Sequence, residues 1–98
     1  MNYEEHVTRD ARLVILRALA DQTDGRLNET ILSKTIETYG HRRSREWVRT
    51  QMRALAELGA IRVVEAAPDF LIGELTRLGQ DHVDRRAIVE GVARPSPR

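Results

Sequence analysis

The chain has no cysteine. Disulfides, thiolate metal sites and thiol redox sensing are thereby excluded, and cysteine usage marks no compartment. No stretch approaches the ~20 apolar residues of a membrane-spanning helix. A strong charge of either sign is also missing: 16 basic and 15 acidic residues leave a net charge of +1. A basic nucleic-acid-binding domain would carry more. The histidines His6, His41 and His82 are far apart, without the paired spacing of metal ligands. There is no glycine-rich phosphate loop and no HExxH pattern. Ser44 stands near His41, but no orienting acid is evident, and helix capping accounts for the serine. Nothing calls for a metal, a cofactor or catalysis, so the expectation is a protein that is not an enzyme.

What is present fits one soluble domain of 98 residues with a modest core. The start, Met1-Asn2-Tyr3-Glu4-Glu5, is polar and acidic, unlike a secretory signal. A cytoplasmic protein is expected. Charge is unevenly distributed. Between His41 and Arg53 there are five arginines and one carboxylate, Glu46. Lys34 is the only lysine.

The basic stretch belongs to the best-defined segment, Ser44 to Gly59. Ser44 is an N-cap, able to take up a free N–H of the first turn. Gly59 is placed to end the helix in a left-handed conformation. Val48, Met52, Leu55 and Leu58 recur at helical spacing, with Trp47 and Gln51 at the edges of the stripe. Arg45, Arg49 and Arg53 form a row four residues apart on the other side, and Arg42 and Arg43 precede the cap. Taken alone, this helix fits either a solvated face, with Glu46 and Glu57 pairing with arginines, or a face that meets DNA.

Its flanks favour the second. A first helix is expected from about Tyr3 to Ala20. It has one apolar stripe of Val7, Ala11, Val14, Ile15 and Ala18 and a second of Leu13, Leu16 and Ala20 on nearly the opposite side. The second stripe suits either burial within the domain or a subunit interface. After the polar turn Asp21–Gly25, the segment Arg26-Leu27-Asn28 suits at most a very short strand. Asn28 caps a second helix with Ile31, Leu32, Ile36 and Tyr39 inward, closed by Gly40. The turn Gly40-His41-Arg42-Arg43 then makes a helix-turn-helix, whose second helix enters the major groove. Alternation from Ile61 to Ala66 and from Phe70 to Leu75 gives a hairpin turning at Ala67-Pro68-Asp69. Thr76 caps a last helix through about Arg86, with Leu78 and Val83 inward. Arg94-Pro95-Ser96-Pro97-Arg98 should be extended and mobile.

The expected class is mainly α with a small β-hairpin, in the order α-α-α-β-β-α. It comprises one domain over residues 1–86 and an extension over 87–98 that is apolar, then rich in proline and arginine. From about Tyr3 to Arg86 this order resembles the winged helix-turn-helix domain. Val48-x-x-x-Met52-x-x-Leu55-x-x-Leu58-Gly59-x-Ile61 and Leu75-Thr76-x-x-Gly79 resemble the helix-to-wing junction and wing exit of the ArsR- and MarR-like bacterial regulators. A narrower resemblance covers nearly the whole chain. Arg12-Leu13-x-Ile15-Leu16-Arg17-x-Leu19, Leu27-Asn28-Glu29, Gly40-His41, Ser44-Arg45-x-x-Val48-Arg49-Thr50 and Gly91-Val92-x-Arg94-Pro95-x-Pro97 look like small winged-helix proteins of Mu-like phages and prophages. This implies a phage or prophage origin and a DNA-binding fold.

The expected function is a DNA-binding, phage-type transcriptional regulator. Arg49, Thr50 and Arg53 would face base edges. Arg42, Arg43 and Arg45 would hold phosphates at the amino end of the helix capped by Ser44. The wing tip has no arginine or lysine, and Arg62 at the strand base is the only wing candidate. A winged-helix adaptor binding a phage or host protein is the alternative. A homodimer is expected through Leu13, Leu16, Ala20, Ile88, Val89 and Val92, apolar residues without an evident partner inside the domain.

Overall fold

The computed structural model describes residues 2–97. Its elements are α1 (Tyr3–Ala20), β1 (Arg26–Asn28), α2 (Glu29–Thr38), α3 (Arg45–Glu57), β2 (Ile61–Ala67), β3 (Phe70–Leu75) and α4 (Arg77–Val83). The order is therefore α-β-α-α-β-β-α, which overturns the expected α-α-α-β-β-α. β1 pairs antiparallel with β3, Leu27 opposite Gly73, so the sheet has three strands in the order β1-β3-β2 and β3 is central. A strand of three residues has too little periodicity to declare itself; its partner makes it a strand.

Each helix begins where a short polar side chain can accept from the first turn. Asn28 accepts from the Ile31 N–H, Ser44 from Trp47 and Thr76 from Gly79. Asn2 does the same for α1, and the Glu5 side chain returns the bond to the Asn2 N–H, closing a capping box. The Thr76 hydroxyl also donates to the Gly59 carbonyl at 2.7 Å, fastening the start of α4 to the end of α3. Gly59 turns the chain at φ +83°. Gly79 is needed for closeness instead. A Cβ there would overlap the Ala60 carbonyl oxygen and come within 2.7 Å of Leu75 Cδ1. Only a glycine lets α4 lie this close to the α3–β2 junction.

The core forms around α1, whose two apolar stripes are both covered. Ile15, Leu16 and Leu19 are buried with Leu32 and Ile36 of α2, Val48, Met52 and Leu55 of α3, and Ile61 and Leu71 of the sheet. Residues 87–95 return to the same core, where Val89 and Val92 are buried. Polar anchors hold this segment. Arg12 donates to the Gly91 carbonyl (3.1 Å) and to Gln51 Oε1 (2.9 Å), and the Ala93 N–H donates to the Arg9 carbonyl. Burial, and secondarily the neighbouring Arg9, lowers the pKa of Arg12 from the ordinary arginine value. The Val89 N–H donates to His82 Nδ1 at 3.0 Å, and His82 Nε2 lies 2.9 Å from the Ala93 carbonyl. Since Nδ1 accepts, Nε2 carries the proton and donates.

Several expected placements change. α4 stops at Val83, and Arg85 takes φ +64°. Its inward residues are Gly79 and His82, while Leu78 is partly in solvent. Ile31 of α2 and Tyr39 at its C-cap are exposed rather than inward. Pro95 is buried, not part of a free tail; Arg98, the last residue of that stretch, lies outside the described residues. Helix periodicity marks a stripe, but the neighbours decide which edge of it is covered. Among the described residues no helix is long and apolar enough to cross a membrane.

Candidate nucleic-acid interface

The basic stretch occupies the turn 39–44 between α2 and α3 and runs on along α3. The turn is tied down through His41. The His41 N–H donates to the Ile36 carbonyl at 2.9 Å, and His41 Nε2 lies 2.7 Å from Asp10 Oδ2 on α1. His41 thus has an acid partner after all. The Ser44 hydroxyl, however, accepts from the Trp47 N–H and makes no hydrogen bond with His41, so the three residues are not joined as a catalytic relay.

The seven residues expected to meet DNA fall into different environments. Arg42 stands in solvent, 3.6 Å from Glu37. Arg43 turns back to α1, where both terminal nitrogens reach the Glu4 carboxylate at 3.1 Å, and its guanidinium lies 4.9 Å from the centre of the Trp47 ring. This cation–π contact holds Trp47 at the margin of the core. Ser44 caps α3. Arg45 is more than half exposed and reaches towards Thr30 Oγ1 (3.4 Å) and Glu29 Oε2 (3.6 Å). Thr50 is exposed and donates to the Glu46 carbonyl. Arg53 is exposed and has no ion pair among the described residues.

Arg49 departs furthest from expectation. It is only 15% exposed, and its Nε lies 3.1 Å from both oxygens of Glu29, hydrogen bonding Oε1. Glu29 is fully buried at the first position of α2 and also accepts from the Leu71 N–H of β3 at 2.6 Å. One carboxylate thus joins α2, α3 and β3. The hydrogen bond to Glu29 raises the Arg49 pKa, helped by the charges of Glu29, Glu46 and Asp69. Glu29 is also a first-turn acid matched to the helix dipole. Its link to an arginine 20 residues later follows no sequence spacing and comes only from the packing of α2 on α3.

The hairpin lies beside α3. Glu46, Arg49, Thr50 and Arg53 line one side of a hollow of about 160 Å³, and Glu65 and Asp69 line the other. At the strand base, Arg62 is exposed and pairs with Glu74, which also holds Arg26.

The residues expected at a dimer interface are mostly inside the chain. Leu13, Leu16, Val89 and Val92 are buried in the single copy, within the one apolar cluster. Ala20 is half-buried and Ile88 is exposed. The premise that these residues lack a partner within the domain therefore fails for four of the six. Among the described residues no three histidine, aspartate or glutamate side chains are grouped as a metal site requires.

This chain is similar to a protein of Escherichia phage Mu, gp26, described as uncharacterized. The two are 46% identical over 92 residues, which cover 94% of each chain. A second relative, an uncharacterized protein of Haemophilus influenzae, is 32% identical over 77 residues, 79% of this chain and 74% of that one. No family model and no solved structure matches the chain.

Proposed function

The chain belongs to the family of the phage Mu protein gp26, and on that premise we propose that it is a DNA-binding protein, a phage- or prophage-type regulator that uses α3 as its recognition helix. Three helices with a hairpin after the third are in keeping with winged-helix-like proteins in general. The observation that carries the reading is the free outer face of α3. Arg45, Thr50 and Arg53 on α3 and Arg42 in the turn before its Ser44 cap are all exposed. Arg42 and Arg45 suit phosphates, and Thr50 and Arg53 suit base edges.

A gel shift on duplex DNA at graded salt tests this. With the two cations Arg42 and Arg45 meeting phosphates, log K should fall against log salt with a slope of roughly −2. Absence of a shift at low salt rejects the reading. The alternative is an adaptor that binds a phage or host protein through the same face. The observation in its favour is the acidic hairpin, which places Glu65 and Asp69 where a DNA-binding wing would carry cations. Two copies on a palindromic site would need contacts other than the buried Leu13, Leu16, Val89 and Val92.

A further inference from the structure

We infer that the hairpin tip is an electrostatic brake on DNA binding, in which the carboxylates of Glu65 and Asp69 oppose the approach of phosphates to the outer face of α3. The inference rests on the DNA-binding reading of that face. The tip is shaped to hold both acids together. Asp69 sits at φ +59°, and its N–H points to Glu65 Oε2 at 3.4 Å. A register slip between Glu65 and Ala67 bends the strand at the same place. Asp69 Oδ1 then lies 3.6 Å from Arg49 Nη2, and both acids line the hollow beside Thr50 and Arg53.

These carboxylates have little structural work in this position. Arg49 is already matched by the buried Glu29, and Asp69 is 92% exposed, so its ion pair adds little to stability. What remains is their field. A phosphate drawn towards Arg53 meets these two negative charges across the hollow, in addition to Glu46 on the α3 side. It also has to displace Asp69 to reach Arg49. Apart from Arg49, already held by Glu29, no cation stands against them: residues 63–70 contain neither lysine nor arginine, and Arg62 is paired with Glu74.

The decisive measurement is the affinity of a labelled random-sequence duplex, read by fluorescence anisotropy at several salt concentrations. The variant is Glu65→Gln with Asp69→Asn. Asparagine tolerates the positive φ at 69, and glutamine can still accept from the backbone at that position, so the melting temperature should not move. A charge-matched control, Asp21→Asn with Glu90→Gln, alters exposed acids at the end of α1 and on segment 87–95. The tip variant should bind roughly three- to tenfold tighter than the parent at low salt, the gain shrinking as salt screens the charges. The control should gain much less. Asp69→Asn alone should give part of the gain and serves as the readout if Glu65→Gln disturbs the strand. If the parent binds and the tip variant gains no more than the control, the brake is refuted while the DNA reading stands. If neither parent nor tip variant binds at the lowest salt, the DNA reading fails and the brake with it.

Discussion

The backbone N–H of Leu71, in the middle of the sheet, donates to Glu29 Oε1, the first residue of a helix 42 positions earlier, at 2.6 Å. The same oxygen accepts from Arg49. An arginine expected to face DNA is therefore a structural residue.

Replacing Glu29 with alanine should cost about 1–3 kcal/mol for the orphaned Leu71 N–H alone. Arg49→Ala should also destabilise, because it leaves the buried carboxylate with only the more exposed Arg45, 3.6 Å away. In a Glu29→Gln background, Arg49→Ala should cost markedly less than in the parent. Denaturant midpoints of the four proteins read this coupling. Equal costs in both backgrounds would contradict the pairing.

Arg53 should behave in the opposite way. It is exposed and has no ion pair among the described residues, so Arg53→Ala should change stability by less than about 0.5 kcal/mol. If it meets a base edge, its loss should weaken DNA binding by about 1–3 kcal/mol. Parallel melting and anisotropy curves separate the two effects. An unstable Arg53→Ala, or one that binds as well as the parent, removes this residue from the interface.

Gly79 should not tolerate a methyl group. A Cβ there overlaps the Ala60 carbonyl oxygen, part of the backbone rather than a flexible tip. Gly79→Ala should cost about 1–3 kcal/mol or more, although alanine is the better helix former. A melting temperature equal to that of the parent would place α4 differently.

Leu16→Glu tests where the second stripe of α1 goes. Leu16 is fully buried within one copy. A carboxylate there should cost several kcal/mol, a large part of the roughly 5–15 kcal/mol that holds a domain folded. Circular dichroism should show loss of cooperative folding. A folded variant that has merely changed from dimer to monomer in sedimentation would restore the interface expectation.

How far the sequence could be read depended on the range of each interaction. Asn28, Ser44 and Thr76 cap helices through bonds three residues long, so they and the helices they start were legible. Gly59 and the hairpin turn were equally local. β1 was legible only as a candidate, since Arg26-Leu27-Asn28 suits a very short strand but is fixed as one by pairing with Glu74, Gly73 and Ile72. The inward edge of a helix was legible only where its stripe was complete. On α4 the buried position is His82, whose two ring nitrogens meet backbone groups of a segment still to come. A periodicity search ranks Leu78 above it. The basic face was found as a run of residue types. Which arginines stay free depended on Glu4 and Glu29, acids 39 and 20 positions away from their partners.

The hydrogen bond from Ala93 to Arg9 brings the last residues of the chain alongside the first helix. From Arg9 back to Asn2 is about two turns of α1, roughly 10 Å. A flexible linker of about six residues could therefore join position 97 to position 2, since extended chain spans ~3.3 Å or more per residue. New ends opened between Pro68 and Asp69, on an exposed tip, would cut no core contact. Such a circular permutant should reach the same fold with α1 and segment 87–95 as sequence neighbours, turning a closure between the two ends of the chain into a local one.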